Sequence, residues 1–332
     1  MAVMSDTAFQ PSSRPLEGMT CLMIGMVFFV VQDALMKTLL ATYPVWMLIG
    51  ARATISVMIL VPLILYLGRP HRLWTPLWPL HLIRATLFAV GFCLFYTAFP
   101  FMGLAEVTTI FFSAPLMTAL LAAVFLRETI GLQRGLALVI GFVGVLIAMR
   151  PGGATFQWVA VLPLICAFTY ALSQIVARKI GDRESTLTVG LYTLAPSGPI
   201  VALLGWSVNQ VFDFGPEFAH LRFEFPIPDG SGILWLAAIA GAGMMGYILN
   251  SRAYQVAPAS LMAPFDYSYL PMAAVLGFLL WGEVPPVNTV VGMALIVASG
   301  VFIGYREIQT ARRAKAVHIA PTAPFVVDSP DV

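Results

Sequence analysis

Ten apolar runs, each about as long as a bilayer is thick, divide this chain and leave it few ways to fold; they fall at 19–40, 45–67, 82–101, 104–125, 132–149, 157–177, 187–206, 233–250, 259–281 and 287–305. A hydrocarbon core about 30 Å across takes roughly 20 residues of helix, so each run reads as a membrane-spanning helix. A transmembrane β-barrel would need short alternating segments, and the sequence has none. Most connections, such as ATYP at 41–44 and EVPP at 283–286, are too short for anything but antiparallel hairpins. Composition agrees. Of the 332 residues 59% are hydrophobic and 10% charged, with a mean hydropathy of +0.88, which is too little polar surface to cover a soluble globule. The expected fold is an all-α polytopic membrane protein with ten transmembrane helices.

The chain also looks duplicated. AEVTTIFFSAPLMTALLAAVFLRE at 105–128 and APASLMAPFDYSYLPMAAVLGFLLWGE at 257–283 share a small residue and a polar group at the start, a mid-span proline, an apolar run and a closing Glu. Pro115 precedes Glu128 by 13 positions and Pro271 precedes Glu283 by 12, so the match takes one gap. Five spans per half is an odd number, so the second half enters the membrane in the opposite sense, giving two inverted five-helix repeats. Such repeats place a site near the midplane that similar motions can open to either side. The expected division is a disordered arm at 1–18, a first repeat at 19–150, a second at 151–305 and a disordered tail at 306–332. Within the second repeat, 207–232 is too long and polar for a tight turn and carries Asp213, Glu217, Glu224 and Asp229 against Arg222. Of the 18 Lys and Arg, Arg150 and Arg222 fall on one side and Lys37, Arg52 and Arg84 within or at the ends of spans, leaving thirteen on the other side. The positive-inside rule makes that side, with both termini, cytoplasmic, and puts the acidic loop outside.

A charge at the centre of a spanning helix costs about 2.5–3.5 kcal/mol on insertion scales, so each one needs a partner, a watery cavity or a role. Asp33 and Lys37 stand at i and i+4 in the first span, close enough to pair. They read either as an internal ion pair that fixes packing or as groups that handle substrate or protons. Arg52, near the outer end of the second span, either snorkels to the headgroups or joins a site, and Arg84, at the start of the third, reads as snorkelling. Glu106 opens the fourth span, where a carboxylate either caps the first helical turn or meets a solute. Asp266, about eight residues into the ninth span, is too deep to be a cap and has no basic neighbour in its own helix. It is the strongest functional candidate, a carboxylate placed to carry a proton in coupled transport, unless it is buried against Lys37 or Arg52 across the bundle.

Pro115 and Pro271 each remove a mid-span backbone hydrogen bond, leaving a kink and a free carbonyl, through bending alone or at a cavity. Tyr96, Phe111, Phe112, Tyr267 and Tyr269 lie at or near these polar points. They serve either packing or a binding cavity, and if several line a cavity a planar, ring-bearing solute is favoured. Small residues in GFVGVLIA after Gly141 and in GMALIVASG at 292–300 suit close helix packing or a homodimer seam. Cys21, Cys93 and Cys166 lie inside apolar runs without metal or disulfide spacing. No Walker loop, HExxH, GxSxG or paired His occurs, so no enzyme, no cofactor and no ATP-driven pump is expected. The net charge of +2, spread between apolar runs, gives no nucleic-acid partner. The partners expected are the lipid bilayer and a small solute.

The two motif copies at 105–128 and 257–283, the apolar glycine-bearing helix after each closing Glu, and Lys37 and Arg52 in the first two spans resemble the drug/metabolite transporter superfamily, and within it the bacterial EamA-type group. The resemblance covers about residues 19–305. It implies ten helices in two inverted repeats, cytoplasmic termini, and secondary transport of small organic solutes across the bacterial inner membrane. Activities known in similar proteins include export of amino acids and metallophores and uptake of S-adenosylmethionine or riboflavin. The long acidic outer loop departs from the simplest pattern of the family. A non-transporting assembly partner and a passive channel are the competing readings. The former predicts a solid centre, and the latter predicts transport that neither saturates nor supports counterflow.

Overall fold

A computed structural model of the chain describes residues 14–126, 131–151 and 158–319; Glu128 and the terminal stretches 1–13 and 320–332 lie outside the described residues. Helices α1 (Pro15–Leu39), α2 (Val45–Leu67) and α3 (Trp78–Thr97) form the first three spans, and α4 (Leu104–Phe111) with α5 (Ala114–Leu126) the fourth. They are followed by α6 (Leu132–Met149), α7 (Val161–Ile180), α8 (Thr186–Val211) and α9 (Gly230–Val256). The ninth span is α10 (Ala259–Asp266) with α11 (Tyr269–Trp281), and α12 (Val287–Ile319) is the tenth. Among the described residues there is no strand.

Local chemistry sets several of these boundaries. Pro79 lies in the first turn of α3, where its missing N–H is no loss. That helix therefore starts one turn before the expected 82–101 span, which carries Arg84 deeper into the membrane. Ser185 caps α8 by accepting from the Thr188 N–H at 3.3 Å, and Asp229 caps α9 by accepting from the Gly232 N–H at 2.7 Å. Helix α1 takes in residues 15–18 of the expected disordered arm. Helix α12 continues to Ile319, so 306–319 of the expected disordered tail is helical. Arg, Lys, Ala, Gln and Glu are good helix formers, and they prolong the span beyond the apolar pattern.

The fourth and ninth spans are broken rather than merely kinked. Pro115 is the second residue of α5 and Pro271 the third of α11. A proline fits a first turn but clashes with the carbonyl four residues back, so each helix stops one turn upstream and restarts at the proline. The expected free carbonyl at Tyr267 is occupied, since it accepts from the Leu270 N–H at 3.1 Å.

The packing is symmetric under a shift of five spans. α1 lies along α9, and its counterpart α7 lies along α3; α1 also touches α10 and α11, as α7 touches α4 and α5. α2 packs on α8 and α6 on α12, each span against its own counterpart. On one face, Glu17 at the start of α1 meets Arg252 near the end of α9 at 2.7 Å, and Tyr247 of α9 bonds the Thr186 carbonyl just after α7. On the opposite face, Lys37 at the end of α1 meets Glu283 after α11, and Asn288 of α12 bonds the Ala148 carbonyl at the end of α6. α1 thus runs from the Glu17 face to the Lys37 face and α7 runs back, which makes the two halves inverted repeats.

Glycines allow the tightest of these contacts. A Cβ on Gly292 would lie 2.5 Å from the Gly144 carbonyl oxygen, so the glycine faces expected to form a packing or dimer seam are occupied by each other, α6 against α12 within one chain. Leu120, Val124, Val139, Leu279, Leu280 and Val290 are exposed, giving the apolar exterior a bilayer requires, while Asp33 and Arg52 are buried.

Candidate functional site

The breaks in the fourth and ninth spans both face a cavity of about 440 Å³ between the two halves. Phe111, Phe112 and Pro115 reach it from the first break and Asp266 and Tyr269 from the second. α1 adds Gln32 and Asp33, α2 Arg52 and Ser56, and α3 Arg84, Phe88 and Phe92. Tyr170 and Gln174 of α7, Thr193 of α8 and Tyr247 and Asn250 of α9 complete its wall toward the Glu17 face.

Asp33 is the centre of a saturated network. One carboxylate oxygen accepts from the Tyr96 hydroxyl at 2.9 Å and the Gln32 amide at 3.1 Å, and the other accepts from the Tyr269 hydroxyl at 2.5 Å. Arg52 joins at one remove, donating to the Tyr96 hydroxyl at 3.2 Å with its guanidinium 5.7 Å from that ring. Four helices are tied together by this cluster. Arg52 therefore does not snorkel; it is 7% exposed.

The expected pairing of Asp33 with Lys37 is not made. Lys37 lies one turn nearer the surface, where it donates to Glu283 and to the Met102 carbonyl, the latter at 2.9 Å, and packs 5.1 Å from the Trp281 ring centre. Glu283 also accepts from the Leu104 N–H at 2.9 Å, capping α4 in the other repeat. Glu106 accepts from the Gly103 N–H at 2.9 Å, which is the capping alternative. Lys37, Glu106 and Glu283 line a second, outer cavity of about 770 Å³ under the 216–220 turn. A layer of Met36, Phe95, Tyr96, Phe99 and Leu104, each at most 1% exposed, lies between the two cavities.

Asp266 lines the central cavity but meets neither Lys37 nor Arg52. Its Oδ2 accepts from the Tyr254 hydroxyl at 2.6 Å, and its buried Oδ1 has no partner among the described residues. Tyr267 points away from the cavity, with its hydroxyl against Gly300 of α12, and Pro271 does not line it. Arg84 does not snorkel either. It donates to the Thr193 hydroxyl at 2.9 Å and contributes to the cavity wall.

The aromatic wall is continuous. Phe92 lies 4.4 Å from Phe88 and 5.9 Å from Phe111, and Tyr170 meets Phe111 at 5.5 Å edge-on. Phe112 stacks at 5.4 Å on Tyr269. Residues that the sequence reading missed are Gln32, Tyr170, Thr193 and Tyr254. Gln32, adjacent to Asp33 in an apolar run, was a visible signal. Tyr254 closes the span before Asp266, across a hairpin too short to separate them. Chemically, the cavity offers two guanidinium groups, two carboxylates and a wall of rings in a volume suited to a small organic molecule.

Comparison with known proteins gives the same outline. The model of the EamA-like transporter family matches residues 16–150 and 157–305. A riboflavin transporter of Vibrio cholerae is 28% identical over 79% of this chain and 84% of that protein. An S-adenosylmethionine uptake transporter of Rickettsia prowazekii is 24% identical over 88% and 94%, and a pseudopaline exporter of Pseudomonas aeruginosa 26% over 82% and 90%. A solved crystal structure superposes with a TM-score of 0.57 at 19% identity, covering 89% of this chain and 99% of that one, a likeness of fold.

Proposed function

Because the chain belongs to the EamA-like transporter family, we propose that it is a secondary active transporter which carries a small organic metabolite across the bacterial inner membrane by alternating access. The observation that carries this reading is the central cavity: polar groups from both inverted halves face a volume walled off from the Lys37 face by a fully buried layer. A solid-centred assembly partner would have no use for it. Inverted repeats around such a cavity supply two similar gates, one toward each face, and rocking one half against the other exchanges them. The names of the relatives support a solute of vitamin, nucleoside or amino-acid size. The thirteen Lys and Arg that the sequence gathers on one side, Glu17's side, support reading that face and both termini as cytoplasmic.

Asp266 is the group placed for proton coupling. It lines the cavity at a helix break, with one oxygen held by Tyr254 and the other open. A protonated Asp266 needs no counter-charge in the membrane interior, so binding a solute and binding a proton become linked events. Asp33, with three donors on it, is the fixed structural carboxylate.

An untargeted comparison of metabolites inside and outside cells, with and without this chain, identifies the solute, and proteoliposomes then test the mechanism. Saturable uptake with counterflow, accelerated by a pH gradient and made insensitive to that gradient by Asp266→Asn, is the expected result. Uptake that neither saturates nor supports counterflow would make the protein a channel. Uptake indifferent to both the gradient and the substitution would remove the coupling.

A further inference from the structure

The charges of the central cavity divide into a closed pair and an open pair. Arg52 and Asp33 share Tyr96, so the positive and negative charge of that unit balance within one hydrogen-bonded cluster. Arg84 and Asp266 are different. Among the described residues neither forms an ion pair; Arg84 has the neutral Thr193 hydroxyl and Asp266 the neutral Tyr254 hydroxyl. Each keeps a buried, unpartnered polar atom, Nε of Arg84 and Oδ1 of Asp266. Arg84, Asp266 and Tyr170 all line this one cavity, so a single solute can meet both open charges. The aromatic wall of Phe88, Phe92, Phe111 and Tyr170 lines the same cavity.

We propose that the cavity takes a bipolar, ring-bearing solute, with its anionic group on Arg84, its cationic or N–H-bearing end on Asp266 and its ring on the aromatic wall. A guanidinium has five donors in a rigid fork and suits a carboxylate or phosphate with two parallel bonds. A carboxylate oxygen with no partner accepts from an ammonium or an N–H. The physical argument is one of satisfaction. An uncharged ring leaves both open charges desolvated, and an anion alone meets Arg84 while leaving Asp266 unmatched. Only a solute with both functions closes the two valences at once. This narrows the transport reading to a substrate class and rests on it.

The test is ligand-dependent thermal unfolding of the purified full chain in detergent. One series is indole, indole-3-acetate, tryptamine and tryptophan, in which a single ring carries no charge, an anion, a cation or both. The second is adenosine against S-adenosylhomocysteine. In at least one series the bipolar member is expected to raise Tm more than every other member. Arg84→Gln and Asp266→Asn should each weaken its binding at least about tenfold, the size of effect that loss of one charged hydrogen bond gives. Arg84→Lys, which keeps the charge but not the fork, should weaken it less. If Arg84→Gln does not fold, Thr193→Val, which removes the hydroxyl that orients Arg84, should weaken anion-bearing ligands in the same direction. The proposal is overturned if uncharged or singly charged members bind as well as bipolar ones in both series, if no member binds, or if both substitutions leave affinity unchanged. Solute exchange that persists in cells with the wrong charge preference removes only this inference, whereas loss of all exchange removes the transport reading.

Discussion

On the alternating-access reading, Glu283 ties the Lys37 face from two directions, and removing it should open that face by a calculable amount. Its carboxylate accepts from Lys37 at the end of α1 and caps α4 through the Leu104 N–H at 2.9 Å. Losing a helix cap costs about 1 kcal/mol. A hydrogen bond to a charged group is worth about 1.5–3 kcal/mol, and the lower end applies because the Glu283 side chain is 28% exposed to the outer cavity. Glu283→Ala therefore removes about 2.5 kcal/mol from the closed arrangement. While the open form stays a minority, that raises its population roughly 60-fold, at 1.4 kcal/mol per factor of ten. Glu283→Gln keeps an acceptor for the Leu104 N–H and loses only the charge, about 1.5 kcal/mol or roughly 12-fold.

The assay is thiol labelling of Thr108→Cys in a background without the three native cysteines. Thr108 lines the central cavity and is 1% exposed, so an impermeant maleimide added from the Lys37 face reaches it only when the buried layer parts. The labelling rate should rise in the order wild type, Glu283→Gln, Glu283→Ala, and the swap Lys37→Glu with Glu283→Lys should recover part of the closure. A rate within threefold of wild type in Glu283→Ala, in protein that is folded by gel filtration, would falsify the reasoning: the pair would then hold position without opposing the opening.

Other consequences are open to direct measurement. Tyr254→Phe removes the 2.6 Å bond to Asp266 and leaves both carboxylate oxygens without a partner; the expected loss is about 1–3 kcal/mol of stability, read as a fall in Tm that Tyr254→Phe with Asp266→Leu partly restores. An unchanged Tm would show that water already serves that oxygen. Gly292→Val forces a side chain against the Gly144 carbonyl and Ala148 and should cost about 1–3 kcal/mol as an overpacked contact, whereas Gly50→Ala, with nothing near its Cβ, should be neutral; equal effects from the two would sink the α6–α12 seam. His220, 6% exposed, packs at 5.5 Å on Phe101 and lines the same cavity as the carboxylates Glu106, Glu217 and Glu283 and the ammonium of Lys37. Burial pushes its imidazole below the ordinary range. The unfolded turn, near its ordinary value of about 6.5, then binds more protons than the folded one, so stability present above that value is lost as pH falls through the depressed one. Proteolysis at 216–221 should accelerate on acidification from about pH 7 to 5 and should lose that dependence in His220→Gln; persistence in the variant would assign the effect to the carboxylates.

How far the sequence could be read depended on whether the forces involved are local or three-dimensional. Span number, hairpin connections and inversion follow from run length, loop length and an odd count, each a property of the chain alone. The depth of Asp266 was legible for the same reason, since its place eight residues into an apolar run is a property of the chain alone. Partners were not. Asp33 and Lys37 satisfy the helical spacing rule for a pair, yet Lys37 finds a carboxylate 246 positions away because inversion brings the end of the ninth span over the end of the first. Arg84 reads as a headgroup residue only if its helix starts at residue 82, and Pro79 moves that start by one turn. In both cases the wrong answer came from treating a span as a straight, self-contained cylinder.

The broken spans show why that approximation fails at the central cavity. Pro115 and Pro271 stop two helices in the middle of the membrane, and a backbone interrupted there is tolerated only when it is buried in protein or lines a polar cavity. The same interruption frees Asp266, at the last turn of α10, from the continuous apolar face a complete helix would impose, and Phe111 and Phe112 reach the same cavity from the other break. The two prolines and the intramembrane acid are therefore one feature. Replacing Pro271 with Ala should let the ninth span run through as a single helix, rotating Asp266 relative to Tyr254 and weakening solute binding even though Pro271 touches neither the cavity nor the carboxylate. Wild-type affinity in a Pro271→Ala protein would mean that packing of α10 alone holds the acid, and that the break is incidental to the site.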